Sequence, residues 1–536
     1  MRIGIKKALK SKQQTTIKMA NQIQQESRVK KTLLNARVNM IFYFLILILS
    51  FFSRKIFLDT LGADFIGLTG TMQNLLAFIN LAELGIATAI GYLLYAPLHQ
   101  QDHTKINEII SVLGFLYRKI GYIILLTGIC VSLFIPLIFP NTGFNAILIY
   151  FAYYSFLTSS LIGYFCNYKQ TLLGADQRNY VVTAYYQGIN ILKVLIQLGV
   201  AFYTKNYYLW VFIELAFGII YSFILNWKIN QVYPWLRSEI KQGKQLFKKY
   251  PEVIKHTKHL FVQRISAMVQ WHTRPFLIYT FCSLQTVAFY GNYTIITDKI
   301  TQFVNTFLDS TSAGVGNLIA EGNKTKILKV FWELLSFRYF IAGVIAFSLF
   351  MLTNPFIELW LGSKYLLSNP VLLLIVLNVF FQYTRDGVMQ FLYGYGLFRD
   401  VWASIAEIII NLTTACIAGY FWGLLGVLLG GIISPLLIVY IWKPYFLFRD
   451  GFKESIWLYW AELFKTLLLI GLPMFLVHSL SGHISSYISP ITWIGWVGYS
   501  CIIFTSYTFI TFILMLIFIN SFKTFVFRFL KKNIIK

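Results

Sequence analysis

The polar residues inside apolar segments are the ones able to do chemistry in this chain, and the longest series of them begins at Asp298. Its members are four, three, four and three positions apart and share one face of a helix: Asp298, Gln302, Asn305, Asp309 and Ser312. Lys299 lies on the flank of this face. Such a stripe cannot face lipid, so it either lines a cavity, which we favour, or seals one helix bundle through hydrogen bonds.

Arg274 lies about four turns into the apolar segment that precedes this stripe, a depth close to the middle of a bilayer. Gln270 shares its helical face. A guanidinium offers a planar fork of donors that suits an anionic ligand. A charge at this depth costs roughly 2.5–3.5 kcal/mol on insertion scales, so we expect Asp298 or Asp309 to pair with Arg274 at rest.

Arg385 and Asp386 are adjacent inside another apolar segment. They indicate an interior polar patch, although mutual pairing across a bundle is an equal alternative. Structural pairing accounts for most of the charges that stand singly in apolar segments, namely Glu83, Lys193, Glu214, Glu333 and Glu407. His272 is more typical of a hydrogen-bonded structural histidine than of a proton relay.

Glu83 also belongs to a polar helical face. It lies on one helical face with Gln73 and Asn80 in the apolar segment from Phe65 to Tyr95, which we interpret as a single membrane span. This face suits a helix that packs in a bundle or lines a wet cavity.

The composition restricts the classes of protein. Of 536 residues, 57% are hydrophobic and 12% are charged, which is too apolar for a water-soluble domain. The formal net charge of +25 comes mostly from basic loops between apolar segments, so it indicates membrane topology and not nucleic-acid binding. The five cysteines stand singly and form no CxxC pair, so neither a metal site nor a disulfide framework is expected.

Apolar windows of about 20 residues predict an all-α polytopic membrane protein with about fourteen transmembrane helices. Basic residues concentrate in every second loop, which places both termini in the cytoplasm. A shift of about 220 residues superposes Phe65-Ile-Gly-Leu on Phe289-Tyr-Gly-Asn and Thr104-Lys-Ile on Thr325-Lys-Ile, which indicates two pseudo-symmetric six-helix bundles.

The predicted domains follow from this repeat. They are a cytoplasmic N-terminal tail (1–35), an N-terminal six-helix bundle (36–232), a cytoplasmic linker (233–259), a C-terminal six-helix bundle (260–448), and two additional helices with a basic cytoplasmic tail (449–536). The span that carries the polar stripe is expected to run from Val287 to Ile319.

A resemblance to a known family rests on the stretch that begins at Arg54. The run RKIFLDTLGADFIGLTGTMQNLLAFINLAELGIATAIGYLLYAPL contains a Phe-Leu-x-x-Leu-Gly turn and a Leu-Ala-Glu-Leu-Gly-Ile run. It resembles the first two helices of the polysaccharide transporter family, the lipid-linked oligosaccharide flippases of the multidrug/oligosaccharidyl-lipid/polysaccharide exporter superfamily.

The resemblance implies a flippase of the bacterial inner membrane that moves an undecaprenyl-pyrophosphate-linked oligosaccharide by alternating access, for surface polysaccharide (O-antigen or lipopolysaccharide) synthesis. Coupling to a Na⁺ or H⁺ gradient, without another cofactor, is a further implication. Expected partners are the lipid-linked substrate, the bilayer, a polysaccharide polymerase and glycosyltransferases. The candidate substrate-binding residues are Arg274, Arg385, Lys299, Gln270, Gln302, Asn305 and Arg54, and those for ion coupling or gating are Asp298, Asp309 and Glu83.

Two alternatives remain. A cation-coupled multidrug antiporter has the same fold, but it would favour an acidic cavity over buried arginines. A membrane-embedded glycosyltransferase or polymerase usually presents a large outer loop or an acidic metal motif in the first outer loop. Asp59 and Asp64 are the only acidic residues there, and the predicted outer loops are short. A protein without enzymatic activity is therefore the expectation.

Overall fold

The computed structural model describes residues 31–534 except 32, 81–84, 141, 251–267, 270–271, 309–311 and 398. Within these residues every regular element is helical. The first ten helices are α1 (Leu33–Thr60), α2 (Ala63–Ile79), α3 (Ile86–Gln100), α4 (His103–Ser132), α5 (Ile135–Ile138), α6 (Ala146–Phe165), α7 (Gln170–Ala175), α8 (Asn179–Tyr203), α9 (Tyr207–Val232) and α10 (Gly243–Lys249).

The second half of the chain has ten more helices within the described residues. They are α11 (272–281), α12 (Leu284–Leu308), α13 (Ser312–Ala320), α14 (Lys324–Leu361), α15 (Asn369–Gly394), α16 (Val401–Trp422), α17 (Leu424–Phe452), α18 (Ile456–Tyr487), α19 (Trp493–Phe518) and α20 (Asn520–Ile534). Two stretches of α17 are π-helical, Leu436–Trp442 and Leu447–Phe452.

Ten of the helices in the described part of the chain are long and apolar enough to cross a membrane. Many of their apolar side chains are exposed, as Phe223 and Phe475 are, each at 72%. Apolar side chains point outward when lipid, not water, surrounds the protein. The prediction of an all-α multi-pass membrane protein is therefore confirmed, whereas the count of fourteen spans and the cytoplasmic termini stay predictions.

The segment from Phe65 to Tyr95, expected to form one continuous helix, is instead divided between α2 and α3. Helix α2 ends at Ile79 with Asn80 as its C-cap, and α3 begins after Gly85, whose φ of 93° is left-handed. A residue in this conformation cannot continue a right-handed helix, and glycine adopts it without steric cost. Of the span expected from Val287 to Ile319, the described residues are helical up to Leu308 in α12 and again from Ser312 in α13, and residues 309–311 lie outside the described residues.

The chain forms two compact units. The N-terminal unit comprises residues up to Gly62 and Leu75–Arg264, and the C-terminal unit comprises Ala63–Asn74 and Ile265–Lys536. Helix α2 thus contributes its first part to the C-terminal unit and its last turns to the N-terminal unit. The predicted linker 233–259 stays a prediction; its described part, up to residue 250, contains α10.

Close helix packing shapes the C-terminal unit. A Cβ at Gly426 of α17 would lie 1.9 Å from the carbonyl oxygen of Ala418 on α16, and one at Gly430 would lie 2.5 Å from that of Asn411. Only glycine allows the two backbones to approach this closely, as is common between membrane helices. This contact holds the charged residue of α16, Glu407, against the interior of the unit, where it is 1% exposed.

Candidate functional site

A polar cavity of about 110 Å³ lies inside the C-terminal unit, and we call it the C-terminal cavity. Helices α11, α12, α15 and α17 form its wall. Its polar lining residues are Arg274, Tyr290, Thr294, Thr297, Asp298, Thr301, Asn378, Gln382 and Arg385. The lining of this cavity therefore combines two guanidinium groups, one carboxylate and several neutral donors and acceptors.

Arg274 has neutral hydrogen-bond partners in this cavity. Its Nη1 donates to the Tyr290 hydroxyl at 3.1 Å, and its Nη2 donates to Oδ1 of Asn378 at 3.4 Å. Asp298 lines the same cavity, but no carboxylate of the described residues lies within 4.0 Å of the guanidinium, so the expected direct ion pair with Asp298 is not formed. Asp309, the other expected partner, lies outside the described residues.

Arg274 has N–H donors that make no hydrogen bond to any described residue. A guanidinium carries five N–H donors, and the two hydrogen bonds to Tyr290 and Asn378 occupy two of them. Among the described residues no acceptor engages the others. Donors in a fixed fork, facing a cavity, are what a phosphate or carboxylate group binds.

Arg385 forms an ion pair with Glu407, a residue of the next helix. Its Nη1 is 3.2 Å from Oε1 of Glu407 on α16, while the side chain of Arg385 remains 30% exposed. For Arg385, the alternative of pairing across the bundle is the one observed, because this pair joins α15 to α16. Oε2 of Glu407 is buried without a hydrogen-bond partner among the described residues.

Gly431 and Asn378 are site residues that the sequence analysis missed. A Cβ at Gly431 would lie 2.4 Å from Oδ1 of Asn378 and 2.7 Å from Nη2 of Arg274, so the glycine leaves room for the contact between these two side chains. The signals in the sequence were weak: an asparagine in the middle of the apolar helix α15 and a glycine pair in α17. Neither signal identifies the neighbouring helix.

The remaining predicted site residues fall in several places. Lys299, Gln302 and Asn305 lie on α12 outside the lining of the C-terminal cavity, with Gln302 exposed. Arg54 lies on α1 in the N-terminal unit. The structure therefore brings Arg274, Asp298 and Arg385 together in this cavity. The lining does not include Lys299, Gln302, Asn305 or Arg54. Gln270, Asp309 and Glu83 lie outside the described residues.

Several buried charges have structural partners, as predicted. Lys193 Nζ lies 2.6 Å from Oε1 of Glu214. Glu333 pairs with Arg528 of α20, and Glu407 pairs with Arg385. His272 is also hydrogen-bonded, with Nδ1 at 2.9 Å from Oδ1 of Asn74. These contacts confirm the prediction of structural pairing for these residues.

A second polar cavity, of about 540 Å³, lies inside the N-terminal unit, and we call it the N-terminal cavity. This cavity was not predicted from the sequence. The end of α2, helices α6, α8 and α9 and the segment after α6 line it. Its polar lining residues are Asn80, Ser159, Ser160, Asn167, Gln170, Tyr186, Asn190, Lys193, Glu214 and Tyr221. Among the described residues, neither cavity nor any other region gathers three or more His, Cys, Asp or Glu side chains for a metal ion.

The chain adopts the fold of membrane transporters of known structure. A lipid II flippase MurJ in an inward closed conformation matches with a TM-score of 0.63 at 16% identity, over 91% of this chain and 98% of that chain. An inward-facing multidrug resistance MATE family transporter of the MOP superfamily matches with a TM-score of 0.55 at 15% identity, over 78% and 99%. A MATE structure in the bent conformation has a TM-score of 0.50 at 14% identity, over 79% and 96%.

No family model and no curated protein sequence matches the chain. The structural matches confirm, at the level of the fold, the expected likeness to the flippases and transporters of this superfamily. They are flippases and transporters, not enzymes.

Proposed function

We propose that the chain is a flippase that carries an undecaprenyl-pyrophosphate-linked oligosaccharide across the bacterial inner membrane, from the cytoplasmic to the outer leaflet. The observation that carries this proposal is that Arg274 and Arg385 both line one cavity of a membrane-spanning unit. A diphosphate has the charge and the oxygen geometry to accept hydrogen bonds from both guanidinium groups. The greater share of the chain covered by a lipid flippase than by a multidrug transporter, 91% against 78%, also supports it.

The charge balance of the cavity supports an anionic substrate. Asp298 and Glu407 offset the two arginines in number, yet Glu407 is already bonded to Arg385. Arg274 is the cation of this cavity whose hydrogen bonds to described residues go to neutral groups, so a diphosphate gains most at this residue. Burying the diphosphate here replaces part of its hydration with fixed donors.

Transport then requires alternating access, in which the cavity opens first to one side of the membrane and then to the other. We assign this movement to the two predicted six-helix bundles, 36–232 and 260–448, rocking against each other as inverted or parallel repeats do in other transporters. Asp298, Asp309 and Glu83 are the candidates for gating or for coupling to a Na⁺ or H⁺ gradient. With both termini in the cytoplasm, as predicted from loop charge, the substrate leaves for the outer leaflet and serves surface polysaccharide synthesis.

A cation-coupled multidrug antiporter is the second candidate, because the same fold serves MATE transporters. Asp298 is the observation in its favour, since this carboxylate lines the cavity with no cationic group of the described residues within 4.0 Å. A lipophilic cation would find one acceptor there. It would also find two arginines, which repel it.

Transport by the purified protein tests the proposal. The full chain is reconstituted into liposomes that contain a polyprenyl-diphosphate-linked oligosaccharide, and a membrane-impermeant lectin measures how much sugar reaches the opposite leaflet. We expect fast exchange with the wild type and little efflux of a cationic dye from the same vesicles. Dye efflux without lipid movement would instead establish the antiporter.

A further inference from the structure

The N-terminal cavity lies along the first half of α8. Lys193 is 14 residues from the start of α8, a rise of about 21 Å along the helix. With a volume of about 540 Å³ the cavity falls within the roughly 300–1,000 Å³ typical of small-molecule sites. It is several times larger than the C-terminal cavity of about 110 Å³.

The charges of the N-terminal cavity cancel. Oε1 of Glu214 is 2.6 Å from the Lys193 ammonium, and its Oε2 accepts a hydrogen bond of 3.0 Å from Nε2 of Gln197. Both carboxylate oxygens therefore have donors. Because the ion pair is complete, the cavity offers no net charge that would select an anion or a cation.

Carboxamide groups make up much of the remaining wall. Oδ1 of Asn80 accepts from Ser160 at 3.0 Å, and Oδ1 of Asn167 accepts from Ser222 at 2.7 Å and from Asn226 at 3.1 Å. The oxygens of these amides are thus engaged, whereas their NH₂ groups have no acceptor among the described residues. Because both residues line the cavity, these NH₂ groups are candidate donors to a ligand there.

Other groups add acceptors and an aromatic surface. Asn190 lines the cavity, and its carboxamide makes no hydrogen bond to any described residue, so it can both donate and accept. The rings of Tyr186 and Tyr221 meet edge to face with centroids 5.1 Å apart. An uncharged ligand rich in hydroxyl and ether oxygens fits this combination, because each hydroxyl both donates and accepts hydrogen bonds.

We propose that the N-terminal cavity binds an uncharged sugar of the transported head group, separately from the arginines that receive the diphosphate. This inference rests on the proposed function, and it assigns to the N-terminal unit the recognition of the glycan. The diphosphate site would then be common to every substrate of this type, and the N-terminal cavity would decide which glycan is carried.

A glycine that lines the cavity provides the test. A Cβ at Gly163 of α6 meets no atom within 4 Å, so the backbone there accepts a side chain, and Gly163→Leu directs apolar bulk into the cavity that this glycine lines. Gly188 of α8 likewise has open space around a Cβ and does not line the cavity, so Gly188→Leu is the matched control. Both full-length variants are reconstituted with two substrates: polyprenyl diphosphate bearing an uncharged trisaccharide, and polyprenyl diphosphate without sugar.

We expect Gly163→Leu to lower both binding and transport of the trisaccharide lipid at least 10-fold while binding of the sugar-free lipid is unchanged. Gly188→Leu should match the wild type with both lipids. Asn190→Ala, which keeps the cavity open, should weaken binding of the trisaccharide lipid about 3- to 10-fold, the value of one neutral hydrogen bond.

The outcomes separate the two proposals. If the wild type moves neither lipid, the proposed function fails. If the wild type moves the trisaccharide lipid and Gly163→Leu and Asn190→Ala do so equally well, the sugar site is refuted and the flippase stands. An equal loss of binding for both lipids would also overturn the sugar site, because it would assign the cavity to a conformational step. A change only in the Na⁺ or pH dependence of transport would overturn it too, because it would assign the cavity to a coupling step.

Discussion

The two polar cavities solve the problem of buried charge in different ways. In the N-terminal cavity the Lys193 and Glu214 pair lies on the cavity surface, with side chains 16% and 20% exposed, and amides surround it. In the C-terminal cavity Glu407 is 1% exposed behind Arg385, and Arg274 has neutral partners. The first arrangement suits neutral polar groups, whereas the second retains donors for an anion.

The two ion pairs nevertheless have the same arrangement along the chain. The paired residues are 21 positions apart in the N-terminal unit and 22 apart in the C-terminal unit. In each case a cation on one helix pairs with a glutamate on the next helix of the chain, because consecutive membrane helices joined by a short turn lie side by side. The difference between the cavities therefore arises from what surrounds each pair and not from the pair itself.

The largest expected effect comes from removing the arginine of the more buried pair. Arg385→Ala leaves Glu407 as an unpaired buried carboxylate, which costs roughly 3–5 kcal/mol of stability. Thermal unfolding in detergent and the yield of monodisperse protein measure it. The double variant Arg385→Leu/Glu407→Leu should recover most of the loss, and Arg399→Ala, at an ion pair where Arg399 is 78% exposed, is the control with little effect. Equal losses in the single and double variants would contradict the pairing.

Arg274 should affect transport and not stability. Arg274→Ala removes charged hydrogen bonds to the substrate worth about 1.5–3 kcal/mol, so transport of the diphosphate lipid should fall about 10- to 150-fold. Protein abundance should persist, since Tyr290 and Asn378 are neutral. Arg274→Lys should retain part of the activity because the charge survives without the bidentate fork. A fall in abundance that is rescued by removing Asp298 as well would show a structural salt bridge instead.

The pair of the N-terminal cavity should be less critical than the Arg385 pair. Lys193→Met leaves Glu214 with its hydrogen bond from Gln197 and with access to water in the cavity, so we expect a loss of about 1–2 kcal/mol in stability. The same thermal unfolding assay compares the two cavities directly. A loss as large as that of Arg385→Ala would mean that the N-terminal cavity is dry and that its pair is a core contact.

The smallest change concerns two glycines. At Gly431→Ala the new Cβ displaces Asn378 and Arg274, both through the ends of flexible side chains, so the cost is at the low end of the roughly 1–3 kcal/mol typical of overpacking. We expect transport to fall a few-fold and the free energy of unfolding to fall by about 1 kcal/mol. Gly163→Ala in the N-terminal cavity meets open space and should leave both quantities at wild-type values. Equal effects of the two substitutions would remove the contrast between the cavities.

The sequence by itself determined the class of the protein and the kind of residue that lies inside it. Long apolar segments must be helices in a bilayer, because every backbone polar group needs an internal partner there. Charged and amide residues in those segments are expected to turn away from lipid, which is why residue type and position alone identify Arg274, Asp298 and Arg385 as candidates to line a cavity.

Only the tertiary structure decided which neighbours these residues have. Periodicity assigns a residue to a face of its own helix, but it carries no information on the helix that covers that face. Glu407 was thus recognised as a paired charge without its partner, and Asn378, which lies 104 residues from Arg274, was missed. The N-terminal cavity was missed for the same reason, since it exists only where α6, α8 and α9 pack around the end of α2.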